Sequence, residues 1–289
     1  MPGRRCILLL TFASAALAQR GAESIAQAVN KQGCVVLEQS GVKVCAYDYK
    51  VDSRAVEAFS FQPHGTKPFP GVLMIPGYQR TAVNLIPLGV RLAAEGFAGV
   101  AVTQPGFGKS QGPADFVGPR TLKVLISAYR KLQQEPFVDP KRMGIYGYSR
   151  GGMAASLLVL DLEDVKAAVL GAGIYDFKKA YDDSTLPGVR ANMRAETGMT
   201  SEAIRERSSI LRMEKLGCPV LILHGEEDVN VPVTQAYALR DRLTELHKDF
   251  EIKLFPDREH SIGPEVTPLT LYSSSVGFGT SVIGFDVSD

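Results

Sequence analysis

The sequence has almost no excess of charge of either sign. Its 289 residues include 32 lysines and arginines against 31 aspartates and glutamates, which gives a formal net charge of +1. No basic run or acidic tail interrupts this balance. Proteins that bind nucleic acid or anionic membrane surfaces carry basic patches. We therefore expect neither kind of partner.

The sequence also lacks the spaced histidines and cysteines of a metal site. Its histidines are scattered, and none lies at the spacing from another histidine or a cysteine that zinc sites use. We therefore expect no metal and no cofactor. The four histidines are His64, His224, His247 and His260.

The segment 106–110 imitates the end of a phosphate-binding loop but lacks its other parts. It reads Gly-Phe-Gly-Lys-Ser, yet a phosphate-binding loop needs a glycine where Thr103 stands. The following residues 111–113, Gln-Gly-Pro, do not begin a helix. We do not expect ATP binding, and the segment is predicted to form a wall of the substrate pocket.

The hydrophobic run at the N-terminus is too short to cross a membrane. Arg4 and Arg5 precede an apolar stretch at 6–18, whereas about 20 apolar residues are needed to span hydrocarbon. Basic residues, a short apolar core and small residues at Ala16 and Ala18 are typical of a secretory signal peptide. The sequence predicts a signal peptide over 1–18, cleaved near Ala18, and export to the periplasm or the exterior. A membrane anchor is the alternative.

Three cysteines remain after the predicted cleavage. Cys34 and Cys45 bracket what reads as two short strands about a turn, so they are expected to face each other across a hairpin. They either form a disulfide or remain as two half-buried thiols. Cys218 opens a buried strand and is expected to act as a small hydrophobic residue.

Apolar strand and helix patterns alternate from residue 71 onward. Runs that are apolar on both faces are typical of strands inside a parallel sheet, and the segments between them have helical periodicity. This alternation predicts an α/β fold with helices on both faces of the sheet. These strands are predicted at 71–75, 98–103, 142–148, 165–170, 218–223 and 250–255, after a helix at 22–30, the hairpin and a strand at 55–62, and the later helices at 84–95, 122–134, 150–160 and 234–248.

One domain is expected over 19–262. Residues 175–216 break the alternation with a polar stretch of short helical patterns, which is predicted to be a lid or pocket wall; a plain surface excursion is the alternative. Residues 263–289 contain two prolines and a Ser/Gly-rich run without a helical stripe. This tail is predicted to be atypical, either because it is disordered or because the reading frame is altered.

Ser149 lies between two glycines directly after a predicted strand. Residues 147–151, Gly-Tyr-Ser-Arg-Gly, have the pattern of a nucleophile elbow, in which the serine is held on a strained turn. Side chains at Gly147 and Gly151 would collide with the neighbouring backbone. The sequence therefore predicts Ser149 as a nucleophile.

The acid and the base are predicted at the ends of the last two strands, because catalytic groups gather at the carboxyl ends of strands in open α/β sheets. The loop 224–232 follows one such strand, and Asp228 is the first choice for the acid. His260 follows the last strand and is predicted to be the base. The other carboxylates considered are Glu226, Glu227 and, more distantly, Asp176, and His224 is expected to be held structurally beside the acid loop.

Two N–H groups are predicted to form an oxyanion hole. The first belongs to the backbone of Arg150, at the start of a helix whose dipole also favours an anion. The second is expected in the turn 76–80, where Tyr78 offers either its backbone N–H or its phenol. The Arg150 side chain either binds a substrate carboxylate or has a local structural role.

These motifs together resemble the α/β-hydrolase superfamily, in which serine, acid and histidine follow in this chain order. The segments 146–152, 224–228 and 259–261 are most similar to the catalytic domain of the prolyl oligopeptidase family and to dienelactone-hydrolase-like serine hydrolases. The resemblance covers about residues 56–261. It implies an α/β-hydrolase fold with a mostly parallel, eight-stranded sheet, and a Ser149, Asp228, His260 triad acting through an acyl-enzyme.

Two features depart from the family pattern. We expect no room for the β-propeller of true prolyl oligopeptidases, and 263–289 lacks the amphipathic helix that usually closes the fold. The main hypothesis is a serine hydrolase that cleaves a carboxylic ester or an amide of a small molecule. The alternatives are a peptidase of this family acting on short peptides, and a non-catalytic binding protein on a hydrolase scaffold. Oligomeric state and acyl preference stay open.

Overall fold

A sheet of nine strands forms the centre of the computed structural model, which describes residues 19–262. Two further strands pair with each other in a separate small sheet. The strands in chain order are β1 (Cys34–Val36), β2 (Lys43–Ala46), β3 (Tyr49–Val51), β4 (Arg54–Val56), β5 (Ala58–Gln62), β6 (Phe69–Ile75), β7 (Ala98–Val102), β8 (Val138–Tyr148), β9 (Val165–Gly171), β10 (Val220–Gly225) and β11 (Phe250–Phe255).

The order of the main sheet is β1-β2-β5-β7-β6-β8-β9-β10-β11, and strands β6 to β11 run parallel. This confirms the predicted α/β-hydrolase fold with its mostly parallel sheet. The resemblance implied eight strands, and the sheet has nine. The N-terminal hairpin accounts for the difference, because β2 pairs antiparallel with β5 and thereby brings β1 to the edge of the same sheet.

Helices cover both faces of the sheet, as predicted. Side chains alternate along a strand, so Leu73 and Met74 of β6 enter two different apolar clusters, one on each face. Because both clusters are buried, the sequences of the strands are continuous apolar runs. The helices are α1 (19–32), α2 (Ile86–Ala94), α3 (Pro119–Gln133), α4 (Arg150–Asp161), α5 (Phe177–Asp183), α6 (Pro187–Thr197), α7 (Ser201–Arg207) and α8 (Thr234–Glu245), with 3-10 helices at Ala82–Leu85 and Ser209–Lys215.

Several strands differ in extent from their predictions, and the strand predicted at 55–62 is divided into β4 and β5. β8 begins at Val138, ahead of the predicted residue 142, because Val138 and Asp139 already pair with β6 before a register shift between Pro70 and Gly71. β10 runs to Gly225, which pairs with β11, so His224 lies inside the strand and not after it.

A disulfide joins Cys34 and Cys45, which stand directly opposite each other in the β1–β2 ladder. The hairpin geometry expected from the sequence therefore holds, and the disulfide alternative is the one that the structure contains. Cys218 is buried, and burial raises the pKa of its thiol to about 12. It packs as a small hydrophobic residue, as predicted.

The insertion at 175–216 is helical and holds α5, α6, α7 and the second 3-10 helix. The predicted signal peptide at 1–18 and the tail at 263–289 lie outside the described residues. Between residues 19 and 262, no helix combines the length and hydrophobicity needed to cross a bilayer.

Candidate active site

Ser149 occupies the sharp turn between β8 and α4, as the elbow pattern predicts. Its φ of 57° lies in the left-handed region, which is costly for a residue with a side chain. The backbone N–H of Ser149 donates to the carbonyl of Gly171 on the neighbouring strand at 2.8 Å. The turn therefore presents the serine hydroxyl at the carboxyl end of the sheet, held by the strand beside it.

The elbow glycines are required by close backbone contacts. A Cβ on Gly147 would lie 2.0 Å from the carbonyl oxygen of Gly151, and a Cβ on Gly151 would lie 2.1 Å from that of Ile75. Both distances are far inside van der Waals contact. Neither clash is relieved by rotating a side chain, because the opposing atoms belong to the backbone.

Replacing Gly151 by alanine is therefore expected to lower the free energy of unfolding by at least about 3 kcal/mol. It should also impair covalent labelling of Ser149 by a fluorophosphonate. Urea denaturation measures the first effect. The matched control is Gly188→Ala, because a Cβ at this exposed helical glycine has no atom within 4 Å. The control should be neutral or stabilising by up to about 1 kcal/mol. Equal stability of the two variants would contradict this account of the elbow.

The structure brings Ser149, His260 and Asp228 into one line of hydrogen bonds. His260 Nε2 lies 2.8 Å from Ser149 Oγ, and His260 Nδ1 lies 2.7 Å from Asp228 Oδ2. An ionised carboxylate can only accept, so Nδ1 carries the ring proton and Nε2 accepts the serine hydroxyl. This is the arrangement in which a serine loses its proton to an imidazole.

Asp228 is buried, yet it is ionised. Burial by itself raises the pKa of this carboxyl, but hydrogen bonds from two histidines and a backbone amide lower it more, to about 2. Oδ1 accepts the backbone N–H groups of Asn230 and Val231, each at 2.9 Å. The loop after β10 is thus folded around the carboxylate.

His224 approaches the same carboxylate from inside β10. Its Nε2 lies 2.8 Å from the carbonyl oxygen of Val231 and 3.3 Å from Asp228 Oδ2. Both neighbours are acceptors, so Nε2 carries the proton. His224 is fully buried and holds the acid loop, which agrees with the structural role predicted for it.

Tyr148 fixes the histidine from the side of β8. Its phenol donates to the carbonyl oxygen of His260 at 2.7 Å, and burial raises the pKa of the phenol, so it remains a neutral donor. No role for Tyr148 was predicted from the sequence. Its place directly before Ser149 in the elbow was the only available signal.

The turn predicted to supply the second oxyanion donor packs against Ser149. A Cβ on Gly77 would lie 3.1 Å from the Cβ of Ser149, and Gln104 Nε2 donates to the carbonyl oxygen of Pro76 at 2.8 Å, which holds the turn in place. Within residues 19–262, the backbone N–H groups of Tyr78 and Arg150 have no hydrogen-bond acceptor. Both amides are therefore available to an anion at Ser149.

The Arg150 side chain is bound to the insertion. Its guanidinium forms two hydrogen bonds with the carboxylate of Glu196 on α6, at 3.0 and 2.9 Å. Glu196 is 46 residues away in the sequence, and the choice between a substrate carboxylate and a local structural role for Arg150 stays a prediction. Nothing in the sequence spacing pointed to Glu196.

The remaining candidates lie outside the line of hydrogen bonds. Asp176 caps α5 by accepting the backbone N–H of Lys179, and Glu226 accepts the hydroxyl of Tyr237 at 3.0 Å. Glu227 is exposed. His64 and His247 are ordinary surface residues of the described chain, the first beside Gly41 and the second at the end of α8.

A cavity of 490 Å³ opens beside Ser149 and His260. Its walls come from the turn after β6, from the start of α2 and from the residues after β11, and they include Leu85, Leu88 and Ile262. Neither 106–113 nor 175–216 lines this cavity, and the pocket-wall role expected for these segments stays a prediction. They reach the site at the Arg150 side chain instead.

In the part of the chain that the structure describes, no three histidine, cysteine, aspartate or glutamate side chains are grouped closely enough to hold a metal ion. The site consists of a hydroxyl, an imidazole, a carboxylate and two free amides. Such a set can perform acyl transfer.

Comparison with known proteins agrees with the fold and with this chemistry. The model of the prolyl oligopeptidase family matches residues 117–285, more than half of the chain. The chain is 27% identical over 231 residues to the uncharacterized peptidase YtmA of Bacillus subtilis, a match that covers 78% of this chain and 88% of that protein.

Other similar proteins are longer than this chain. It is 26% identical over 247 residues to acyl-coenzyme A thioesterase 3 of Mus musculus, with 79% of this chain and 56% of the thioesterase covered. A puromycin-hydrolyzing peptidase of Mycobacterium tuberculosis superposes with a TM-score of 0.70 at 22% identity, and this match covers 77% of this chain and 36% of the peptidase. The structural likeness concerns the fold alone.

Proposed function

The chain belongs to the prolyl oligopeptidase family and is a serine hydrolase, and on this premise we propose that it hydrolyses an amide bond of a short peptide. Ser149 is the nucleophile, His260 the base and Asp228 the acid that orients the base. The observation that carries the proposal is the line of hydrogen bonds from Ser149 Oγ through His260 to Asp228, at 2.8 and 2.7 Å.

The reaction proceeds in two halves. Ser149 Oγ attacks the acyl carbonyl carbon while His260 Nε2 takes the hydroxyl proton, and Asp228 stabilises the resulting imidazolium. The oxyanion is held by the backbone N–H groups of Tyr78 and Arg150, and His260 then gives its proton to the leaving amine. Water attacks the acyl-enzyme by the same route and restores Ser149.

The size of the substrate is argued from the cavity. A volume of 490 Å³ is that of a small-molecule site, and its largely apolar walls suit a short acyl group or a few residues of peptide. The likeness to a relative named as a peptidase supports an amide as the scissile bond. An ester is the first expectation from the sequence, and the likeness to a thioesterase keeps ester hydrolysis as the second candidate.

Fluorophosphonate labelling of the full chain tests the mechanism. We expect stoichiometric labelling that peptide mass spectrometry assigns to Ser149, and no label on Ser149→Ala. Folded protein that remains unlabelled would overturn the proposal in favour of a non-catalytic binding protein.

A substrate panel then separates the two hydrolase candidates. Aminoacyl and N-acetylaminoacyl p-nitroanilides report amide cleavage, and p-nitrophenyl acetate and butyrate report ester cleavage. Turnover of an anilide is the expected result. Ester turnover with no anilide turnover would establish the second candidate.

A further inference from the structure

The insertion contacts the nucleophile elbow through one buried ion pair. The Arg150 and Glu196 side chains are 5% and 15% exposed, and the two guanidinium Nη atoms each bind one of the two carboxylate oxygens. Glu196 Oε2 also accepts the backbone N–H of Phe116 at 2.7 Å. A bidentate pair of this kind fixes the relative orientation of the guanidinium and the carboxylate as well as the distance between them.

The guanidinium lies against three aromatic rings. Its central carbon is 4.1 Å from the ring centroid of Phe116, 4.6 Å from that of Tyr78 and 5.4 Å from that of Phe107. The Tyr78 and Phe107 rings meet edge to face at 5.5 Å. Cations are attracted to such ring faces, so the Arg150 side chain holds the turn that carries Tyr78.

The loop that carries Phe116 is strained and is held from the insertion. Phe116 and Val117 have φ values of 45° and 58°, which are costly for residues with side chains. The Phe116 amide is bound by Glu196, and its carbonyl oxygen accepts Arg207 Nε of α7 at 3.0 Å. The insertion therefore fixes one of the rings that enclose the Arg150 guanidinium.

We propose that Arg150 and Glu196 are positioning residues of the oxyanion hole, through which α6 of the insertion sets the geometry of both donors. Arg150 provides one donor with its backbone N–H. Its side chain, fixed by Glu196, holds the turn that provides the other, the N–H of Tyr78. The insertion thus acts on the chemical step without lining the cavity beside Ser149. This inference rests on the proposed function.

Steady-state kinetics on Glu196→Gln, Arg150→Lys and Arg150→Met test the pair. All three retain the backbone N–H at position 150 and lose the two-pronged ion pair, so the side-chain role is separated from the backbone role. We expect kcat to fall by about tenfold to a hundredfold and KM to change by less than about threefold, because the interaction is needed in the transition state. Glu196→Asp, which keeps the charge, should recover part of kcat.

The matched control is Asp161→Asn. Asp161 is the last residue of the same helix α4, and it pairs with Arg212 of the insertion at 3.3 Å, so it too joins α4 to the insertion, at the end away from Ser149. Its kcat and KM should stay within about twofold of those of the unaltered protein. Thermal melting of each variant establishes that it is folded.

A trifluoromethyl ketone analogue of the best substrate tests the oxyanion hole directly, because its adduct with Ser149 carries an oxyanion. Its inhibition constant should rise in each variant by the factor by which kcat/KM falls. Folded variants with unchanged kcat would overturn the proposal. A raised KM with unchanged kcat would in addition assign the insertion to substrate binding. Failure of the unaltered protein to be labelled by fluorophosphonate would instead overturn the proposed function, and this inference with it.

Discussion

Replacing Ser149 by alanine is expected to lower kcat by about a factor of 10⁶, close to the uncatalysed rate plus what binding and the oxyanion donors provide. The alanine variant loses the only atom that can form the acyl-enzyme. His260→Ala should lose nearly as much, since the serine hydroxyl 2.8 Å from His260 Nε2 then has no base.

The losses of kcat caused by the two substitutions should not multiply in the double variant. Because Ser149 and His260 act as one unit, the double variant is expected to be no more than about tenfold slower than either single variant. Anilide or ester hydrolysis under single-turnover conditions gives the three rate constants. Losses that multiply would mean that the two residues act independently, which is incompatible with one line of proton transfer.

Ser156→Ala is the control for the serine substitution. Ser156 lies on α4, the helix that begins beside Ser149, and its hydroxyl donates to the carbonyl oxygen of Met153 at 2.7 Å and lies 2.8 Å from Ser209 Oγ. Its loss should lower stability by about 1 kcal/mol and leave kcat unchanged. A loss of kcat in this variant would show that the assay is sensitive to the packing of α4 and not only to the nucleophile.

The order of strands and helices was predictable because the sheet is buried on both faces. Continuous apolar runs such as 71–75 are typical of strands buried on both faces, and a parallel sheet then requires a crossover between each pair of strands. Strand ends were less predictable. β8 begins at Val138 because Val138 and Asp139 pair with Phe69 and Pro70, ahead of the register shift that precedes Met143, and a single sequence does not contain the register of its partner strand.

Contacts of the site that follow from chain topology were predictable, and contacts that depend on packing were not. Parallel strands place their carboxyl ends together, so Ser149, Asp228 and His260 could be assigned to one edge of the sheet before the structure was known. Glu196 could not, because an ion pair between an insertion and an elbow depends on how α6 packs, and no local pattern encodes that packing.

Replacing Asp228 by asparagine is expected to lower kcat by about 10⁴-fold while the fold persists. The amide nitrogen of the introduced side chain would offer protons where the carboxylate accepts them. His260 would then carry its proton on Nε2, facing Ser149, and could not act as a base. Glu227→Gln in the same loop is the control, because this exposed carboxylate should leave kcat within about twofold of its original value.

The same substitution should change how stability depends on pH. The carboxyl of Asp228 has a pKa of about 2 in the folded protein, below its ordinary value of 3.8. A lowered pKa stabilises the fold when the group is ionised, so the contribution, on the order of 2 kcal/mol, is complete above about pH 5 and is lost as pH falls from about 4 to about 2.

Urea denaturation of the original protein and of Asp228→Asn at several pH values measures that contribution as a difference between the two. The difference should not shrink between pH 7 and about pH 5 and should shrink below about pH 4, because only the original protein has the carboxyl to protonate. Activity that declines between pH 7 and pH 5 then has a cause other than Asp228. A stability difference that already shrinks in that range would mean that Asp228 is not held ionised by its histidine and amide partners, and the proposed orientation of His260 would fail with it.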